Sequence, residues 1–139
     1  MAIVTAFTQV AKIGFIRGRY EIGDVYKIAL VKAAGSFNSA TTRYLTGDET
    51  SGTGYSAGGN TLTGYAATLN AGSGILDFAD TSWTGSTFSA DGAVLYNSSL
   101  ASDEAIAVFN FGSTKEVSSG TFTLQMPAAA AGSALVEIT

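Results

Sequence analysis

Residues 120–127 read Gly-Thr-Phe-Thr-Leu-Gln-Met-Pro. Phe122, Leu124 and Met126 alternate with Thr121, Thr123 and Gln125 until Pro127 interrupts the pattern. A period of two puts successive side chains on opposite faces of an extended chain. Proline cannot donate to a sheet ladder, so it stops the run. The stretch therefore reads as a strand with one apolar and one hydroxyl-rich face.

The same pattern recurs upstream. Within Val25–Ala33, Tyr26, Ile28 and Leu30 fall opposite Lys27, Ala29 and Val31. Further alternating runs cover Asn60–Leu69, Gly74–Ala79, Thr84–Ala90, Ala93–Asn97, Glu104–Gly112 and Ala134–Ile138. Asp91-Gly92 between two of them is a tight-hairpin signal. Eight short strands spaced about ten to fifteen residues apart, with Gly, Asn, Asp and Ser between them, predict an all-β sandwich or barrel. No segment keeps a 3.6-residue period over three turns. Residues 1–14 and 36–50 are too short or too weakly amphipathic for a substantial helix, although a single helical turn capped by Thr41 fits Thr42–Gly47. The predicted core is Tyr26, Ile28, Leu30, Leu76, Phe78, Phe88, Leu95, Ile106, Val108, Phe122, Leu124 and Met126.

Composition narrows the function. The chain has 139 residues, enough for one self-supporting domain. It contains no Cys and no His. That removes disulfides, thiolate chemistry, the commonest general base and the usual zinc ligands. Zero Cys also suits a reducing cytoplasm. Charged residues are 13% against a usual ~25%, and Gly, Ala, Ser and Thr fill much of the rest. Low charge with high apolarity is the opposite of the disorder signature.

Charge is split along the chain. Residues 1–43 carry a net +4 and residues 44–139 a net −8. Lys12, Arg17 and Arg19, the basic groups of residues 1–23, are too few for a phosphate-binding stripe on an acidic protein, so nucleic acid is not an expected partner. Residues 1–16 are mostly apolar, but the first basic residue, Lys12, lies behind the apolar run. That order does not fit a signal peptide, and the run is too short to span a bilayer. Asn97-Ser98-Ser99 matches a glycosylation acceptor but lacks a secretory context.

Catalytic constellations are thin. Gly52-Thr53-Gly54-Tyr55-Ser56-Ala57 imitates a dinucleotide fingerprint, but it needs a preceding strand and a following helix and has neither. Asp77 with Asp80, or Asp103 with Glu104, are the available carboxylate pairs for glycoside chemistry or calcium. Nothing supplies three or more carboxylates at ligand spacing. No catalytic residue, metal site, cofactor or small-molecule substrate is therefore expected. Trp83 reads as a plug at the core edge. An alternative reading as a carbohydrate- or receptor-binding module would use Tyr55, Tyr65 or Trp83 as a platform.

Five blocks carry a family resemblance. They are Gly54–Leu62 (Gly-Tyr-Ser-Ala-Gly-Gly-Asn-Thr-Leu), Leu76–Trp83 (Leu-Asp-Phe-Ala-Asp-Thr-Ser-Trp), Ala93–Asn97 (Ala-Val-Leu-Tyr-Asn), Ala107–Gly112 (Ala-Val-Phe-Asn-Phe-Gly) and Phe122–Pro127 (Phe-Thr-Leu-Gln-Met-Pro). In order and spacing they resemble the capsid cement (decoration) proteins of tailed phages, over residues 24–139. The resemblance implies an eight-stranded antiparallel jelly-roll β-sandwich. It also implies a homodimer on the outer surface of the capsid, made in the host cytoplasm, that ties major capsid protein subunits together without covalent bonds.

Residues 1–23 lie outside the resemblance and read as an N-terminal arm or strap on a body of residues 24–139. Two placements are open for it. It lies along its own body or a dimer mate, or it reaches across the shell. In the second case Ile3, Val4, Phe7 and Phe15 enter an apolar groove, and Arg17 and Arg19 meet capsid carboxylates. Extended, 23 residues span up to ~75 Å. The uncharged positions Ala29 and Val31 are the expected dimer or surface contacts.

Overall fold

A computed structural model describes residues 3, 5–33, 35–127 and 136–138. The elements are β1 (Ala6–Phe7), α1 (Gln9–Ile16), β2 (Tyr26–Val31), β3 (Asn60–Thr61), β4 (Ala66–Asn70), β5 (Ser73–Asp77), β6 (Thr81–Asn97), β7 (Glu104–Leu124) and β8 (Val136–Ile138). They form a five-stranded sheet, β1-β7-β6-β2-β3, and a three-stranded sheet, β4-β5-β8. Every ladder between these strands is antiparallel, so the fold is all-β in class.

Two expected pairs of strands are each one continuous strand. Thr84–Ala90 and Ala93–Asn97 merge into β6, and Glu104–Gly112 and Thr121–Met126 merge into β7, which ends at Leu124. Asp91-Gly92 is not a hairpin. A two-residue hairpin turn needs positive φ at one or both central residues, and neither residue has it. Instead the register steps between Ala90 and Gly92 as a bulge. The Asp91 carboxylate is engaged elsewhere: it accepts from the Ala33 N–H at 2.7 Å and from the Thr114 hydroxyl. The tight hairpin lies at Ala71-Gly72, with φ of 48° and 86°, joining β4 to β5.

The expected Asn60–Leu69 strand is broken. β3 ends at Thr61, Gly64 turns the chain with φ 71°, and β4 joins the other sheet. No helical turn forms at Thr42–Gly47, where Arg43 instead bridges to Glu104. A helix does form at Gln9–Ile16, where none was expected. Thr8 caps it by accepting from Ala11 N at 3.2 Å, while its own hydroxyl donates to Ala105 O at 2.7 Å. Eight residues are too few to be helical alone. Ala11 and Gly14 are buried, and a Cβ on Gly14 would strike the Tyr20 ring, so contact with the body fixes this helix.

The two sheets share one apolar core. Tyr26, Ile28, Leu30, Leu76, Phe78, Phe88, Leu95, Ile106 and Val108 are buried as expected. Phe122, Leu124 and Met126 are half-buried against the same core. Ala29 and Val31, expected as dimer or surface contacts, are instead fully buried. β2 lies inside its sheet, and Ile3, Phe37, Val94 and Val108 pack with Val31 in a second cluster, so both faces of the strand are covered.

Candidate partner-binding surfaces

The N-terminal segment is built into the body. Ile3 is buried in the second cluster and bridges to Phe37. Ala6 and Phe7 extend the edge of β7 opposite Val108 and Ala107. Phe7 stands 5.7 Å from Phe15, and Phe15 stands 4.8 Å from Tyr20, ring to ring. Val4 lies outside the described residues. Ile3 and Phe7 thus pack on their own body, and Phe15 is half-buried against the core with part of its ring open to a surface groove. Phe15, Arg17 and Arg19 do not share an extended face, because Phe15 is helical and Arg17 caps the helix. Arg17 is exposed; Arg19 is ion-paired to Glu104, which also accepts from the Tyr20 hydroxyl at 2.6 Å.

Glu104 is 4% exposed. A buried carboxylate needs such partners, because losing hydration without them is costly. Glu49 serves the long loop in the same way. It accepts from the Gly58 N–H and the Tyr55 hydroxyl at 2.7 Å each, and from the Tyr44 hydroxyl. Tyr44 stacks on Tyr96 at 4.6 Å, and the Tyr96 hydroxyl donates to Gly58 O at 2.7 Å. Burial pushes the Tyr96 phenol up to about 12. It also raises Tyr20, Tyr26, Tyr44 and Tyr55 well above the ordinary tyrosine range. The Thr114 hydroxyl and the Ala33 amide hold the Asp91 carboxyl below its usual range.

The aromatic trio forms no exposed platform. Trp83 is buried, stacked 6.0 Å from Tyr55 and edge-on to Phe88 and Phe122. Tyr55 is half-buried, with its hydroxyl accepting from Leu30 N at 2.9 Å and donating to Glu49. Tyr65 packs against Tyr26 and Phe78. Gly52 and Gly54 allow the loop to approach β6 at Thr87 and Ser86, which is the use of this glycine pattern here. Among the described residues no group of three or more Asp or Glu side chains is placed to hold a metal. The buried Asn97 side chain donates to Asp24 and accepts from Ser99 N, so its glycosylation pattern is structurally engaged.

The accessible apolar surface lies elsewhere. Ile16, Ile22 and Leu69 are 80%, 76% and 81% exposed. Leu69 borders an open groove of about 390 Å³, with Phe15, Tyr65, Ile75, Leu76 and Val136 among its lining and, among the described residues, no charged side chain. The sequence pattern missed this surface because it read residues 60–69 as one strand, whereas β3 and β4 are separate and lie in different sheets. No protein-family model matches the chain, and no curated protein or solved structure matches it.

Proposed function

We propose that this chain is a structural virion protein, a capsid cement or decoration protein whose two antiparallel sheets are wound as a jelly roll. It binds the outer surface of a phage head as a homodimer and ties major capsid protein subunits together. The five sequence blocks in family order carry this reading. They fall on Gly54–Leu62 beside β2 and β6, on the β5–β6 connection, inside β6, inside β7 and at the end of β7. These positions determine packing, so the resemblance reports on the architecture first and on the partner through it.

Other features support the reading. The carboxylates at Glu49, Glu104, Asp80 and Asp91 hold the fold together by accepting hydrogen bonds. Broad, weakly charged surfaces suit contacts between closely packed subunits. Ile16, Arg17 and Ile22 stay exposed at the end of the N-terminal segment and are offered to the shell.

The test is to incubate the purified chain with expanded heads of the phage that encodes it and to count copies by electron microscopy. Copies in fixed proportion to capsid subunits are expected. A few copies at a vertex or tail would favour receptor binding, and no binding would overturn the reading.

A further inference from the structure

β4 differs from every other strand: all five of its residues are exposed. It is the outer strand of the β4-β5-β8 sheet, and among the described residues no strand pairs with its far edge. Native edge strands are usually blunted by charge, proline or a bulge, because an open edge invites another chain. β4 has none of these devices. No charged residue occurs from Thr50 to Leu76, and no proline either. The apolar groove lies directly beside it.

We infer that β4 pairs antiparallel across a two-fold axis with β4 of a second copy, joining two three-stranded sheets into one of six strands. This names the surface of the self-association within the proposed function and rests on that part of it alone. The occupant follows from charge and register. A two-fold axis brings each residue near its own equivalent, so an acidic protein with net charge −4 associates with itself best where it is neutral. Centred on Thr68, the pairing sets Leu69 opposite Ala67 of the second copy, and the reverse. Ala67 pairs with Leu76, and Leu76 with Val136, so all three share a face. Leu69, two residues from Ala67, is on it too. Each Leu69 is then covered on the face that borders the groove, while the two backbones complete each other's hydrogen bonds.

The absence of native Cys gives a clean test. Sedimentation of the full chain at micromolar concentration is expected to show a dimer. Leu69→Lys, at a site 81% exposed and so harmless to folding, is expected to weaken association at least tenfold with an unchanged melting curve. Thr68→Cys is expected to oxidise to a covalent dimer, because directly opposed residues bring their Cα atoms to about 4.5–5.5 Å, inside the range a disulfide spans. Ser118→Cys, exposed on β7 in the other sheet, is expected not to do so. A wild-type monomer overturns both the seam and self-association, leaving shell binding to be judged by the imaging experiment. A wild-type dimer that survives Leu69→Lys, or that fails to cross-link through Thr68→Cys, overturns the seam alone.

Discussion

Gly59→Ala should be among the most damaging single-methyl changes in this protein. Gly59 has φ 76°, and a Cβ there would lie 1.8 Å from Ile28 O and 2.7 Å from Ala29 Cα. Left-handed backbone alone costs an alanine about 1–2 kcal/mol. The overlap is with main chain in the middle of β2, which cannot swing aside as a side-chain tip would. β3 must withdraw instead. That loosens the Lys27–Thr61 and Ile28–Asn60 pairs and the 2.8 Å bond from Leu62 N to Tyr26 O. At about 0.5–1.5 kcal/mol net for each lost hydrogen bond, three of them bring the total to about 3–6 kcal/mol. Gly85→Ala is the matched control: its φ is 56°, but a Cβ there meets nothing within 4 Å. It should show the backbone cost alone, about 1–2 kcal/mol. Urea unfolding followed by fluorescence of Trp83, the single and buried tryptophan, measures both. A difference between the two variants below about 1 kcal/mol would refute the reasoning.

Two further outcomes are expected. Ala71 occupies a left-handed position of the β4–β5 hairpin with φ 48° and is exposed, so Ala71→Asn or Ala71→Gly should stabilise the protein by about 0.5–1 kcal/mol. A melting temperature that stays level or falls would contradict the turn assignment. The buried tyrosines set an alkaline limit. Their phenols ionise near pH 10 in the unfolded chain but resist ionisation when folded, to about 12 for Tyr96. The unfolded state therefore binds fewer protons above about pH 10, and stability falls with rising pH from there. Below that pH the contribution is fully present. Absorbance at 295 nm should show these phenols ionising together with unfolding; early, independent titration of Tyr44, Tyr55 and Tyr96 would count against their burial.

Period-two alternation made much of the body legible. It placed Tyr26, Ile28 and Leu30 on one buried face and found the segments that β5, β6 and β7 occupy. It failed where long-range contacts decide the outcome. Nothing local says that Ala29 and Val31 are buried, because the cover over Val31 comes from Ile3 and Phe37. Asp91-Gly92 has the chemistry of a hairpin, yet Ala33 and Thr114 engage its carboxylate and the strand runs on. The helix at Gln9–Ile16 depends on Ala105, Ile106 and Tyr20, all distant or downstream, so its own sequence carried little signal. The candidate surface was hidden for a related reason. Leu69 belongs to a five-residue strand set apart from β3 by the turn at Gly64 and paired in the other sheet, a change that alternation alone does not register.

The docking of Thr8 on Ala105 and Ile106 has a consequence for biosynthesis. The contact spans 97 and 98 positions of chain. At a translation rate of roughly 5–20 residues per second, Ile3 and Phe7 leave the ribosome about 5–20 s before the β7 residues that receive them. The segment around Ile3 and Phe7 is thus a late arrival in folding, although it is made well before the strand it docks on. The β6–β7 ribbon, closed by the short turn at 98–103, can zip from that turn as soon as β7 emerges. Its edge then offers the segment a place to dock. Nascent chains halted before Glu104 would carry the segment uncovered, and these are the intermediates most exposed to aggregation and to chaperone capture.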